Sequence, residues 1–313
     1  MALQIARRSI LLCMVVRAWA QEVPTFSTDV KVVSVLTTVH DRDGRAVTDL
    51  TQNDFTLLED GASQRIRYFS RATGLPLTIG LLVDTSRSQT GVLEQERRAS
   101  YTFLDHILGE NVDKAFVAHF DTQVGILQDL TSSRQDLAAA LRQLRIPGQF
   151  ATLIFSAIRE CSGQVMRKQP GRKAFILLTD GVAFRDDTSI GTAIEFAQRA
   201  DTIIYSIRFS NPITFYRPVR AAVMAAAGER GKGDLARMAK ETGGISFEIS
   251  NGHTIDAIYT QIEEALRNQY SIGYTPERTT NRAPGPEGAY HTIKLTTKDR
   301  SLTVNARAGY YSR

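Results

Sequence analysis

Five apolar runs, separated by amphipathic stretches, constrain the fold of this 313-residue chain more than any other feature. The runs lie between residues 76 and 270, and the stretches that separate them repeat with helical periodicity. The runs are 77–83, 115–120, 174–178, 203–207 and 245–249. Strands this uniformly apolar are buried on both faces, so they predict a mostly parallel sheet covered by helices.

The intervening stretches complete a doubly wound, Rossmann-like α/β domain over residues 76–270. The helical stretches lie near 91–108, 134–145, 152–166, 188–200, 232–242 and 254–269. The segment 124–130 is typical of a short edge strand, antiparallel to 115–120. In such a domain, binding sites lie at the carboxyl ends of the strands.

Residues 211–231 interrupt this alternation. Asn211-Pro212 and Arg217-Pro218 break regular structure, and a run rich in small residues follows. The pattern predicts an insertion that consists of a surface loop and a short helix.

The two flanks of the α/β domain have β character. Residues 28–75 contain β-branched, partly alternating runs and the turn Asp60-Gly61, which predicts a hairpin. Residues 271–313 contain a strand at 271–274, a Pro/Gly-rich loop, and two runs, 292–297 and 302–306, that predict a second hairpin. We expect the flanks to pair, so that both chain ends build one small β domain.

The amino terminus has the layout of a secretory signal peptide. Arg7 and Arg8 precede a short apolar run, and Ala18-Trp19-Ala20 provides a small-x-small cleavage site. An uncleaved membrane anchor is the alternative, but the run is far shorter than the roughly 20 residues needed to span a bilayer. We therefore expect residues 1–20 to be removed, the protein to be exported to the periplasm or beyond, and no transmembrane span to remain.

Cleavage changes how the charge and the cysteines are interpreted. It removes three arginines and no acid, so the formal charge falls from +5 to +2, which gives little support for nucleic-acid binding. It also removes Cys13 and leaves Cys161, so no internal disulfide can form. Cys161 lies among apolar residues and is expected to be a buried structural thiol. An exported protein without disulfides is typical of a bacterial envelope.

The first apolar run ends in a D-x-S-x-S motif formed by Asp84, Ser86 and Ser88. This spacing can direct one carboxylate and two hydroxyls to a single point at the carboxyl end of a central strand. Such oxygen ligands suit a hard cation, with Mg²⁺ expected and Mn²⁺ or Ca²⁺ as alternatives. A turn that caps the following helix would explain the motif equally well if it stood alone.

Two further residues strengthen the prediction of a metal site. Thr152 opens a helical stretch after a Pro-Gly turn, and Asp180 ends the next apolar strand, at the same edge of the sheet. Asp186-Asp187 and Asp121 are weaker candidates, for which a helix start and a turn are the ordinary explanations.

These residues and their order resemble the von Willebrand factor A (VWA) family. In that family, a metal-ion-dependent adhesion site combines a D-x-S-x-S loop, a threonine and a later aspartate. The resemblance implies that Ser86, Ser88 and Thr152 contact the metal directly, and that Asp84 and Asp180 bind it directly or through water. It also implies an open coordination position for an acidic residue of a ligand protein.

The flanks resemble an exported bacterial subgroup called VWFA-related, described mainly from Acidobacteria. The similarity rests on Val39-His40-Asp41-Arg42-Asp43-Gly44, Asp54-Phe55 with Glu59-Asp60-Gly61, Thr242-Gly243-Gly244 and the carboxyl-terminal Arg307-Ala308-Gly309-Tyr310-Tyr311. The chain departs from the family where Phe150-Ala151 precede Thr152, since many members have two glycines there. The departure indicates a stiffer or shifted loop at Thr152.

Three functions follow from these patterns. The expected one is an exported, metal-dependent, adhesion-type protein-binding module that is not an enzyme. The alternative is a structural or assembly scaffold of the cell envelope whose metal site is not essential. A metal-dependent hydrolase ranks last, because no general base accompanies the site and no motif of a nucleotide-binding loop, a nucleophile elbow or a zinc protease is present.

Overall fold

A computed structural model describes residues 32–109, 112–147, 150–209, 218–276 and 288–312 of the protein. Over these ranges the chain runs through four strands, then six strands alternating with helices, then four more strands. The first strands are β1 (Val33–His40), β2 (Phe55–Glu59), β3 (Ala62–Gln64) and β4 (Ile66–Arg71). The middle elements are β5 (Leu77–Asp84), α1 (Leu93–Ile107), β6 (Lys114–Phe120), β7 (Val124–Thr131), α2 (Arg134–Gln143), α3 (Ile154–Gln164), β8 (Arg172–Thr179), α4 (Ile190–Arg199), β9 (Ile203–Arg208), α5 (Pro218–Thr242), β10 (Ser246–Glu248) and α6 (Ile255–Arg267). The last strands are β11 (Tyr270–Tyr274), β12 (Tyr290–Thr297), β13 (Thr303–Ala306) and β14 (Gly309–Tyr311).

The middle strands form one sheet in the order β10-β9-β8-β5-β6-β7. All neighbouring pairs are parallel except β6 and β7, which are antiparallel as predicted. Every residue of β5 and β8 is buried, because helices cover both faces of the sheet. The predicted mostly parallel α/β sheet is therefore confirmed.

Successive residues of β5 point into two separate cores. Leu81 packs in a cluster with residues of α1, α2 and α6, whereas Leu82 packs in a second cluster with residues of α3, α4 and α5. Cys161 of α3 lies in this second core and is buried, as expected. Three helices on each face make the domain doubly wound and place the carboxyl ends of the parallel strands together at one edge of the sheet.

The chain ends build two antiparallel sheets, ordered β13-β1-β11-β4 and β14-β12-β2-β3. Amino-terminal and carboxyl-terminal strands are direct neighbours in both: Val35 lies opposite Ile272, and Leu57 opposite Leu295. Residues of both sheets share one apolar core. The small β domain from both ends of the chain is therefore confirmed, as a two-sheet sandwich.

The second predicted hairpin is wrong. Strands β12 and β13 flank residues 298–300, but β12 pairs with β2 and β14, whereas β13 pairs with β1. The chain therefore crosses from one sheet to the other at residues 298–300. In this arrangement β12 and β13 face each other across the core that the two sheets share. The first hairpin does form between β2 and β3, with positive φ at both Asp60 and Gly61. Its second arm, predicted at 64–69, is instead Ala62–Gln64, and the residues that follow form β4, which pairs with β11 in the other sheet.

Helix α5 also differs from the prediction. It runs unbroken from Pro218 to Thr242, where the sequence predicted a short helix and then a separate one near 232–242. The alanine-rich start of α5 favours helix strongly enough to offset the glycines that follow. The rest of the predicted insertion, up to residue 217, and the predicted signal peptide at 1–20 lie outside the described residues. None of the helices in the described ranges combines the length and apolar character needed to cross a membrane.

Candidate metal centre

Asp84 is the last residue of β5 and is completely buried. Its Oδ1 accepts a hydrogen bond from the backbone N–H of Ser86 at 2.8 Å, and its Oδ2 accepts one from the hydroxyl of Thr179 at 2.6 Å. Thr179 is the last residue of the neighbouring strand β8. These two hydrogen bonds fix the carboxylate between two strand ends.

The two serines of the motif lie side by side. The hydroxyls of Ser86 and Ser88 are hydrogen-bonded to each other at 3.0 Å, and the amide of Gln89 donates to Ser88 Oγ at 3.2 Å. Two neighbouring ligands of an octahedral Mg²⁺ ion, each at about 2.1 Å, are also separated by about 3.0 Å. The hydroxyl spacing therefore fits one small, hard cation.

Asp180 follows β8 and is half-buried at the same edge of the sheet. Its Oδ1 accepts a hydrogen bond from the N–H of Val182 at 2.9 Å. The next residue, Gly181, has φ +86° and lies directly against Gly231 of α5, where a Cβ at position 181 would approach the carbonyl carbon of Gly231 to 2.9 Å. Helix α5 thus holds the Asp180 loop in place.

Thr152 is buried and is tied to the loop that carries Asp180. Its backbone N–H donates to the carbonyl of Phe184 at 2.9 Å, and the N–H of Phe184 donates back at 3.1 Å. Asp186 adds a second link, since its carboxylate accepts from the N–H groups of Phe155 and Ser156 at the start of α3. The segment before α3 and the loop after β8 are therefore joined beside the motif.

The structure brings a residue to this edge that sequence reasoning missed. Glu96 of α1 is 1% exposed, and neither of its carboxylate oxygens has a hydrogen-bond partner among the described residues. The sequence carried a signal: Leu93, Glu96 and Phe103 fall on the same buried helical face, where an acid is out of place.

The acids of this edge act on one another. Burial raises the pKa of Asp84 to about 7, and the charge of Asp180 adds to that rise, while hydrogen bonds from Ser86 and Thr179 act in the opposite direction. Burial also raises the pKa of Glu96 well above its usual value, with further contributions from Asp84 and Asp180. No cationic side chain of the described residues is among the causes of either shift. The buried carboxyl groups of Asp84 and Glu96 therefore lack a compensating positive charge in their immediate surroundings, and a bound cation would supply it.

The weaker candidates form local structure. Asp121 accepts hydrogen bonds from the N–H groups of Thr122 and Gln123, as a turn residue does, and from the hydroxyl of Thr85 at 2.7 Å. Asp186 caps α3 across the loop, whereas the helix that follows it, α4, is capped by Ser189.

A second group of potential metal ligands lies in the sandwich, where no metal-ligand spacing is visible in the sequence. Glu59, Asp60 and His291 place one oxygen or nitrogen atom each within 4.8 Å of one another. His291 Nδ1 lies 3.0 Å from Asp60 Oδ2, and the hydroxyls of Tyr274 and Tyr310 both donate to Glu59 Oε2. These contacts account for the group as a hydrogen-bonded network within the sandwich.

The doubly wound domain gathers hydroxyls and carboxylates of separate loops at the carboxyl edge of its sheet, which is where domains of this architecture bind their ligands. The family model for the von Willebrand factor type A domain matches residues 78–261. This match covers more than half of the chain, and the protein belongs to that family. No curated protein sequence matches this one significantly.

Solved structures share the fold at low sequence identity. Proximal thread matrix protein 1 from the mussel byssus is 16% identical, with a TM-score of 0.51 over 66% of this chain and 50% of that one. A structure of the same mussel protein with a zinc-occupied metal-ion-dependent adhesion site has a TM-score of 0.50 at 15% identity, over 68% of this chain and 50% of that one. The von Willebrand factor domain of the pilus tip protein Mfa5 from Porphyromonas gingivalis is 12% identical, with a TM-score of 0.48 over 61% of this chain and 95% of that one.

Proposed function

We propose that the protein is an exported, metal-dependent protein-binding module of the adhesion type. Ser86, Ser88 and Thr152 would contact a divalent cation, expected to be Mg²⁺, through their hydroxyls. Asp84 would act through water, because protein hydrogen bonds already engage both of its oxygens. Asp180 would bind the ion directly or through water.

The Ser86 and Ser88 hydroxyls, hydrogen-bonded to each other at 3.0 Å and adjacent to the buried carboxylate of Asp84, carry this proposal. Their separation also matches that of two neighbouring oxygen ligands of a small cation, and no cationic side chain is among the causes of the raised pKa values of Asp84 and Glu96. The mussel protein with the same fold holds zinc in its adhesion site.

Neutral hydroxyl ligands leave most of the charge of the cation uncompensated. An acidic residue of a partner protein would then complete the coordination through a strong, charge-assisted contact. This is the chemical reason to propose a binding function. Export follows from the sequence of residues 1–20, which predicts a signal peptide.

Titration calorimetry with Mg²⁺, Mn²⁺ and Ca²⁺ tests the metal site. We expect one cation per wild-type chain, and at least about tenfold weaker binding for Asp84→Ala and for the Ser86→Ala/Ser88→Ala pair. Asp187→Ala is the matched control, because Asp187 is an exposed acid of the loop that follows Asp180. Absence of metal binding in the wild type, or equal binding in Asp84→Ala, would refute the proposal.

The alternative is that the site only stabilises an envelope scaffold. The hydrogen bonds of Asp84 with Thr179 and Ser86 are the observation in favour of this alternative. They connect the ends of two strands whether or not a partner protein is bound. A scaffold predicts that Asp84→Ala lowers the melting temperature and leaves assembly into the envelope intact. A binding module predicts that the variant loses metal-dependent contacts with acidic ligands at temperatures where it remains folded.

A further inference from the structure

Two exposed aromatic side chains flank the candidate metal ligands. Phe150 lies two residues before Thr152 and is 58% exposed, and Phe184, whose backbone pairs with that of Thr152, is 49% exposed. Neither side chain is needed for the core, since both point to solvent. Exposed aromatic side chains at the edge of a site are characteristic of protein interfaces.

Each aromatic ring is accompanied by an arginine. The guanidinium carbon of Arg87 lies 4.7 Å from the ring centroid of Phe150, and that of Arg185 lies 5.3 Å from the ring centroid of Phe184. Both arginines are exposed, and Arg87 is the residue between Ser86 and Ser88. These cation–π contacts restrict the rings and hold two positive charges beside the metal ligands. We call the four residues Arg87, Phe150, Phe184 and Arg185 the rim.

The charge of the rim indicates which kind of partner segment could bind there. Asp187 is an exposed acid of the same loop and offsets one of the two arginine charges, so the positive charge of this surface depends on the bound cation as well. A positive surface attracts an acidic segment and speeds its association. The exposed faces of two aromatic rings gain most from a partner that also brings a large apolar side chain.

We propose that the rim is a docking surface for a partner protein segment in which a large apolar residue stands next to the acidic residue that completes the metal site. The acid would meet the cation and the two guanidinium groups, and the apolar residue would pack on Phe150 and Phe184. This inference rests on the proposed function, because it assigns the chemistry of the partner for the same site.

The test uses the full chain and a library of short peptides with a fixed central aspartate and randomised neighbours. With Mg²⁺ present, we expect selection of large apolar residues beside the aspartate. A selected peptide should bind about tenfold more weakly when its apolar residue is replaced by serine, and lose binding when its aspartate is replaced by asparagine. The same tenfold loss is expected for the Phe150→Ser/Phe184→Ser protein, and a comparable loss for Arg87→Glu/Arg185→Glu.

Three controls separate this inference from the proposed function. Calorimetry should show unchanged Mg²⁺ affinity in the Phe150→Ser/Phe184→Ser variant, and its melting temperature should match that of the wild type because both side chains are exposed. Phe150→Leu/Phe184→Leu, which keeps apolar surface, should retain most peptide binding. Asp84→Ala should lose peptide binding whatever the neighbours of the aspartate are.

Several results would overturn the inference. Metal-dependent binding of aspartate peptides without preference for apolar neighbours, unaffected by the rim variants, contradicts the docking surface and leaves the metal-dependent binding function standing. Metal binding without any peptide binding contradicts both the docking surface and the proposed metal-dependent binding function. Metal-dependent self-association that the rim variants abolish, measured by analytical ultracentrifugation, would make a second copy of this chain the occupant and refute the proposed partner.

Discussion

The hydroxyl of Thr179 donates a 2.6 Å hydrogen bond to Oδ2 of Asp84, and so joins the ends of two neighbouring parallel strands. Thr179 also accepts a hydrogen bond from the N–H of Gly181 at 3.1 Å. One side chain therefore fixes both the carboxylate of the D-x-S-x-S motif and the start of the Asp180 loop. Groups that orient a metal-binding carboxylate in this way set metal affinity without touching the ion.

Thr179→Val keeps the shape of the side chain and removes this donor. We expect Mg²⁺ affinity to fall about tenfold, because Asp84 loses its orientation and one of the hydrogen bonds that favour its ionised form. Calorimetry measures the change, and Thr260→Val on the exposed face of α6 is the matched control. Unchanged affinity would show that Thr179 serves only the packing of β8.

Glu96→Gln tests whether the buried, unpartnered acid belongs to the metal site. We expect the metal-free protein to gain about 1–3 kcal/mol of unfolding free energy at neutral pH, because the buried carboxyl of Glu96, whose pKa is raised, is ionised freely only in the unfolded chain. Stabilisation by Mg²⁺ should shrink at the same time. Urea denaturation with a chelator, and again with Mg²⁺, gives both quantities. A less stable metal-free variant would contradict this role for Glu96.

The pH dependence of stability should have an unusual sign in the metal-free protein. The pKa of Asp84 is raised to about 7 in the folded state, against about 4 in the unfolded chain. Its contribution to stability is therefore fully present below about pH 4 and is lost as the pH rises to about 7. Urea denaturation of the wild type and of Asp84→Asn across this pH window isolates the contribution of Asp84. The other titrating groups, such as His40, are present in both proteins, so their contributions cancel in the difference.

Metal binding should depend on pH in the opposite direction. Because the cation is held by the ionised form of Asp84, here through water, Mg²⁺ affinity should rise between about pH 5 and pH 7. Calorimetry at several pH values measures this. An affinity that stays flat over the window would show that Asp84 does not titrate in the range that its surroundings indicate.

Gly181→Ala should disturb the loop that carries Asp180. The residue has φ +86°, and the added Cβ would approach the carbonyl carbon of Gly231 to 2.9 Å. We expect a loss of about 1–3 kcal/mol in unfolding free energy, together with weaker Mg²⁺ binding. Gly252→Ala is the control, because no atom lies within 4 Å of a Cβ at that position and φ is not positive. Thermal unfolding and calorimetry distinguish the two variants.

Much of the α/β domain could be predicted because its signals are local. Apolar runs such as 77–83 and 174–178 are long and uniform, and parallel strands must end at one edge of the sheet, so Asp84 and Asp180 were expected near each other. The strand pairing of the sandwich was harder to predict, because which strands become neighbours depends on side-chain packing between the two sheets. The runs on either side of residues 298–300 look like a hairpin in sequence, but they belong to opposite sheets.

The sequence by itself determined the order of strands and helices, the family, and the residues of the D-x-S-x-S motif, since each depends on periodicity or spacing along the chain. Only the tertiary structure decided that Thr179 holds Asp84, that Glu96 faces the same acids, and that Phe150 and Phe184 stand exposed at the edge of the site. These relationships join residues that are far apart in the chain. They depend on how the helices pack on the sheet and on which side chains this packing leaves exposed to water. Neither is encoded in a local sequence pattern.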